Sequence, residues 1–237
     1  MHPVKRLFTL LAALCLLIAG FPSRALAVQQ SLPELSYKYY PLRDVVYVDF
    51  HNPNFAPVDS ITVNMVIREG TGRNRIVAIG QVALPPALTL APGEHTSAKV
   101  PIRARVLRDI PALAQFEFRI TGRQLDEGKA PPDVVVQDSP NGATLEFNRD
   151  ENGVPMVMGF IQLNPSITAE TTVNVQAAIL TFYNSDHEIV WSETMPIGGK
   201  LTNNESLMIW GKYDQIRRDL VPDINSIDVK FVVSSGK

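Results

Sequence analysis

The chain has 237 residues, 45% of them hydrophobic, with 22 basic and 24 acidic side chains and a formal net charge of −2. That length carries one or two domains, each able to bury its own core, and the charge balance excludes the basic surface that nucleic acid or an anionic membrane surface would attract. The single cysteine, Cys15, excludes a disulfide framework within the chain.

The N-terminus reads as a secretory signal peptide over residues 1–27. Lys5 and Arg6 form a positive start, Leu7 to Phe21 is uncharged and mostly apolar, and Ala25-Leu26-Ala27 is a small-residue cleavage pattern. The apolar run is shorter than the roughly 20 residues that span a bilayer, so cleavage after Ala27 and no remaining membrane anchor are expected. Cleavage removes Cys15 together with Lys5, Arg6 and Arg24, leaving 19 basic residues against 24 acidic and a net charge of −5. The expected product is an exported protein, in the bacterial periplasm or outside the cell, with no thiol nucleophile and no thiolate metal site.

Val28 to Leu42 is a lead-in carrying an aromatic cluster, Tyr37, Tyr39 and Tyr40 around Lys38. Asp44 to Phe50 alternates as a strand, and His51-Asn52-Pro53-Asn54 breaks it with strong turn chemistry. Ser60 to Arg68 alternates through Ile61, Val63, Met65 and Ile67, and after the turn Glu69 to Asn74 the chain returns over Arg75 to Leu84. Pro92-Gly93 marks a type II turn, and His95 to Ile102 resumes a strand. Arg105 to Ala114 is the one segment that reads as a short helix. Gln115 to Thr121 is a strand with Phe116, Phe118 and Ile120 on one face.

Residues 123–133, rich in Gly, Pro and charge, form the expected linker between a first domain, 28–122, and a second, 134–237. In the second, Val134 to Gln137 and Ala143 to Phe147 flank the turn Ser139 to Gly142, and a further turn follows at Asp150 to Gly153. Val173 to Trp191 is a hairpin turning at Asn184-Ser185-Asp186-His187. Its apolar phase shifts near Leu180 and Phe182, as a bulge or burial on both faces requires. Ordered pairs recur between the halves: Asn52-Pro53 with Asn164-Pro165, Ile61 with Val173, Ile76 with Ile189, Glu94 with Glu205, Arg108 with Arg218, Pro111 with Pro222 and Phe116 with Ile227, at offsets of 110 to 113. This series reads as an internal duplication. Short strands with Gly, Pro and Asn turns then give an all-β chain of two β-sandwiches in series.

The second repeat resembles the bacterial FxLYD domain, an immunoglobulin-like module of exported proteins. Leu180-Thr181-Phe182-Tyr183-Asn184 stands where that family has Phe-x-Leu-Tyr-Asp, and Gly159-Phe160-Ile161-Gln162-Leu163-Asn164 where its first strand ends. The family's Leu-x-Pro-Gly-Glu is matched in the first repeat by Leu90-Ala91-Pro92-Gly93-Glu94. The resemblance implies two tandem immunoglobulin-like β-sandwich domains, export and a non-catalytic role. It transfers no activity.

Catalytic, cofactor and metal residues are expected to be none. His51, His95 and His187 stand apart as turn or strand-end residues, and no His-x-His or His-Glu-x-x-His spacing occurs. No Gly-x-Ser-x-Gly elbow is present, and Gly70-Thr71-Gly72-Arg73 joins two strands instead of opening a helix. Asp150 to Gly153 lacks the spacing of a calcium loop. Trp191 and Trp210 are expected in the core or between sheets. Tyr37, Tyr39 and Tyr40 are the candidate partner contact, since tyrosine is enriched at interfaces, with packing on their own domain as the competing account. The expected function is an exported, non-enzymatic binding or scaffold protein with a protein partner in the cell envelope. The alternative is a pilus-type periplasmic chaperone that donates an edge strand from Gln115 to Thr121 or Ser60 to Arg68, and a hydrolase with a dispersed site is the third reading.

Overall fold

The computed structural model describes residues 35–42, 45–70, 75–104, 114–126, 130–136, 145–216 and 219–236. The expected signal peptide, the turns at 71–74 and 139–142, and all but the last residue of the helix expected at Arg105 to Ala114 lie outside those residues. Within them the protein is all-β. Fourteen strands form four antiparallel sheets, and a short 3-10 turn spans Val221–Asp223. Among the described residues no helix is long and apolar enough to cross a membrane.

Sheet A has the order β1 (Ser36–Leu42), β2 (Val45–His51), β5 (His95–Pro101). Sheet B has the order β6 (Arg103–Ala104), β4 (Ile76–Ala83), β3 (Val58–Arg68), β7 (Gln115–Gln124). Sheet C has β10 (Pro155–Leu163) between β13 (Ser206–Lys212) and β8 (Val134–Val136), with β9 (Leu145–Arg149) also paired to β10. Sheet D has the order β12 (Ile189–Thr202), β11 (Thr172–Tyr183), β14 (Ser226–Ser235). The lead-in expected before the first strand is therefore itself a strand at its C-terminal end. β7 runs to Gln124, two residues past the expected boundary at 122.

The alternation of β2 and β3 places Val46, Val48, Phe50, Val63, Met65 and Ile67 in one core between sheets A and B, all fully buried or nearly so. A second core, between sheets C and D, holds Ile161, Ile209, Leu180, Phe182 and Leu201. Side chains of this size each contribute roughly 1.5–3 kcal/mol when taken fully out of water. Phe182 sits edge-on to Phe147 and to Tyr213, with ring centroids 6.2 and 5.6 Å apart. Gly80 in β4 is required by close packing, because a Cβ there would lie 2.6 Å from Met65 Cε and 2.7 Å from the Pro101 carbonyl oxygen.

The central strands of sheets A and D, β2 and β11, are buried on both faces. In β2, Tyr47 is as buried as its neighbours Val46 and Val48, and in β11 every residue from Ala177 to Tyr183 is buried. The phase shift expected near Leu180 and Phe182 begins earlier: pairing of β11 with β12 and β14 slips between Val175 and Ala177, and pairing with β12 slips again between Phe182 and Tyr183. Past the first slip, Ala178, Leu180 and Phe182 point into the second core, while Ala177 and Ile179 join the first. The sheets thus follow one another as B, A, D, C, and residues Leu32–Lys237 form one unit.

The two halves share strand order. Sheet A places β2 between β1 and β5, as sheet C places β10 between β8 and β13. Sheet B flanks β3 with β4 and β7, as sheet D flanks β11 with β12 and β14. Local geometry agrees at the paired turns. The Asn54 and Ser166 N–H groups donate to the side-chain oxygens of Asn52 and Asn164, at 3.1 and 3.0 Å. Glu94 and Glu205 each accept the N–H three residues back, from Ala91 at 2.7 Å and Thr202 at 3.1 Å. Gly93 and Asn204, just before these glutamates, both have left-handed backbones, with φ of 78° and 69°, a conformation that Gly and Asn adopt most readily.

Candidate interaction surface

The tyrosine cluster is divided by the alternation of β1. Tyr37 and Tyr39 pair with Phe50 and Val48 of β2 and so share their face. Each remains about two-fifths exposed (43% and 41%) while packing on β7, with ring centroids 5.2 Å from Phe118 and Phe116 respectively. They close the side of the first sandwich between two edge strands. Tyr40 pairs with Tyr47 on the opposite face, where it packs with Tyr183 and Ile189 at the meeting of sheets A and D. The three residues do not form one surface.

That meeting of sheets is polar at its centre. Ser97 Oγ lies 2.6 Å from Thr181 Oγ1 and 2.6 Å from Ser192 Oγ, and all three residues are buried. Lys99 Nζ sits 4.4 Å from the Trp191 ring centre and 3.7 Å from the Glu193 carboxylate. Lys230 of β14 reaches Glu94 in the turn before β5. Burial pushes the Tyr47 and Tyr183 phenols well above their ordinary pKa, so both stay neutral.

The histidines lie in a turn or at strand ends, as expected, but His95 does not stand apart. His187 does sit in the hairpin turn, with φ of 57°, and Asn184 holds that turn by accepting the N–H groups of Asp186 and Glu188 at 3.0 and 2.8 Å. His95, however, opens β5 between two carboxylates: Nδ1 is 3.7 Å from Asp49 and Nε2 is 3.4 Å from Asp228. Ser97 lies two residues away on the same face, but its hydroxyl is engaged by Thr181 and Ser192. Among the described residues no group of three His, Cys, Asp or Glu side chains is arranged to hold a metal ion.

Trp210 was expected in the core or between sheets, yet it stands on the outer face of sheet C, 54% exposed. Phe160 and Met208, 51% and 49% exposed, share that face. The register makes them neighbours: Met158 lies opposite Trp210, and Phe160 opposite Met208. Val157, Ile161 and Ile209 fill the inner face of the same strands, so β10 and β13 are apolar on both sides. Charge stays at the rim, where Lys212 pairs with Asp150 at 3.1 Å and Glu146 sits beside Met158 on β9. Contiguous exposed apolar surface of this kind marks an interaction site more often than scattered apolar residues do, and the strand pattern alone could not tell which face was which.

The fold and this surface define an all-β protein of stacked sandwiches with an uncovered aromatic and methionine face. No family model matches the sequence, and no match is found among curated proteins. Solved structures similar to it include an exo-chitosanase from Amycolatopsis orientalis, at 10% identity and a TM-score of 0.27, covering 86% of this chain and 26% of that enzyme. The chain thus spans about a quarter of that protein's length. This comparison corrects the expectation of a non-enzymatic protein, since a glycoside hydrolase is among the structures it matches, and that expectation is withdrawn. At that TM-score the likeness assigns no activity either.

Of the two edges considered for strand donation, Ser60 to Arg68 lies in β3, the inner strand between β4 and β7, and cannot serve. Gln115 to Thr121 lies in β7 at the edge of sheet B, with Phe116 and Phe118 engaged by the β1 tyrosines.

Proposed function

We propose that this protein is an exported binding or scaffold module of the cell envelope, which docks an apolar segment of a protein partner on the outer face of sheet C. The observation that carries the reading is the exposure of Trp210, Phe160 and Met208 side by side on paired strands. Aromatic residues and methionine are the side chains enriched at the centres of protein interfaces, and methionine adapts to varied apolar partners. Among the described residues the centre of the face holds no charge, which favours an apolar protein segment over a polyanion. Export is supported by the signal pattern of residues 1–27.

The module arose by tandem duplication of an immunoglobulin-like sandwich akin to the FxLYD domain. Equal strand order in the two halves and the matched Asn and Glu turns support this. The motif residues Leu180, Phe182 and Tyr183 are buried in β11, so they serve the core and the junction and leave the binding role to sheet C.

The test is crosslinking of the tagged, exported chain in its own envelope, followed by mass spectrometry, beside a Trp210→Ser, Phe160→Ser double variant. A discrete protein recovered with the parent and lost with the variant supports the reading. The same protein recovered from both, or none from the parent, overturns it.

A further inference from the structure

We propose that His95 is a proton-operated clamp between the two halves of the chain, closed when its imidazole is protonated. The residue opens β5, and its side chain lies on the face of sheet A that meets sheet D. One ring nitrogen, Nδ1, is 3.7 Å from Asp49 Oδ1, on β2 of the same half, and the other, Nε2, is 3.4 Å from Asp228 Oδ2, on β14 of the other half. A neutral imidazole carries one N–H and serves one carboxylate at a time. An imidazolium carries two and serves both. Only the protonated ring therefore serves Asp49 within its own half and at the same time keeps the contact across the halves to Asp228.

A second observation points the same way. Asp49 Oδ1 is buried and accepts no hydrogen bond among the described residues. A buried carboxylate oxygen without a donor is costly, and the ring of His95, once protonated, is a cationic group in ion-pair reach of it. At 3.7 Å the contact is electrostatic and too long for a hydrogen bond, so a small turn of the imidazole toward β2, within sheet A, converts it into one.

The surrounding charges favour the proton. From β2 come Asp49 and His51, the latter directly opposite His95. From β14 come Asp228 and Lys230, and Lys230 is engaged by Glu94 in the turn before β5. Lys99, farther along β5, is paired with Glu193 of β12. Asp49 first and Asp228 next raise the imidazole pKa above its ordinary value, outweighing the partial burial that opposes them, and Glu94 adds to the same direction. A group whose folded pKa lies above its unfolded value stabilises fully below the unfolded pKa, about 6.5 for histidine, and loses that contribution as pH rises through the folded value. The clamp is closed below about pH 6.5 and is released as pH rises through the raised folded value. Because His95 is half exposed, solvent screening keeps the effect modest.

The test begins with the exported chain as it stands. An NMR titration of its imidazoles is expected to place His95 above the ordinary histidine value, about 6.5. Asp228→Asn lowers the His95 pKa. Amide hydrogen exchange in β5 and β14, corrected for the intrinsic rate, is expected to speed several-fold between pH 6 and pH 8.5 in the parent and to stay level in His95→Gln. A His95 that titrates at or below the ordinary imidazole value overturns the proposal, as does a His95→Gln chain whose β5 and β14 protection varies with pH as the parent's does. The titration of the unaltered chain decides the matter even where a variant folds poorly.

Discussion

Replacing Ser97 by alanine tests how sheets A and D are joined. Ser97 is the shared partner of two buried hydroxyls, Thr181 and Ser192, each 2.6 Å away. The substitution removes both bonds and strands two polar groups out of water. A buried hydroxyl left without its partner costs about 1–3 kcal/mol, so the single variant is expected to lose about 2–4 kcal/mol of stability. For a chain of this size that is a fall in Tm of roughly 5–15 °C. Removing all three hydroxyls, with Ser97→Ala, Thr181→Val and Ser192→Ala together, leaves no stranded group, and replacing every partner by an apolar one is nearly neutral. The triple variant is therefore expected within about 1 kcal/mol of the parent and above the single variant. Urea denaturation of the three chains, read by circular dichroism and compared at equal slope, measures this. A single variant indistinguishable from the parent, or a triple variant less stable than the single, refutes the reasoning.

Asn52 and Asn164 occupy matched turns at unequal depth. Asn52 is fully buried, and its amide also donates to the carbonyls of Ala56 and Leu90 at 2.9 and 3.0 Å. Asn52→Ala is expected to cost about 3 kcal/mol, from three hydrogen bonds lost at a buried position, against about 1 kcal/mol for Asn164→Ala, whose amide reaches the exposed Asp133; denaturant midpoints check the ratio. Gly80→Ala is expected to destabilise by about 1–3 kcal/mol through overpacking against the Pro101 carbonyl, visible as a lower Tm with unchanged circular dichroism. N-terminal sequencing of the exported protein is expected to begin at Val28; a chain that retains Met1 or begins elsewhere contradicts cleavage after Ala27.

Much of the fold was legible because alternation is a strong signal wherever one face of a strand is buried. Val58–Arg68 and Gln115–Gln124 show it cleanly, and the phase shift in β11 announced a strand covered on both sides. Alternation likewise separates Tyr37 and Tyr39 from Tyr40, although their closeness in sequence suggests a single cluster. The sequence was silent where both faces of a strand are apolar. In β13, Leu207 and Ile209 alternate with Met208 and Trp210, and nothing in the pattern says which pair meets the core. The carboxylates around His95 come from β2 and from β14, 46 residues before and 133 after it, and no local spacing encodes a site assembled from strands so far apart. The polar contact of sheets A and D was hidden for the same reason, since Ser97, Thr181 and Ser192 are single hydroxyls in otherwise apolar strands.

The most direct test of the binding role is oxidative footprinting of Met208 and Trp210, in the intact envelope and in the purified chain, with buried Met65 as the internal reference. Solvent access governs how fast these side chains oxidise. A covered face predicts ready modification of both residues in the purified chain, strong protection of both in the envelope, and little change at Met65. Equal modification of Met208 and Trp210 in the two settings would contradict the account, because the face would then be as bare in the envelope as in solution.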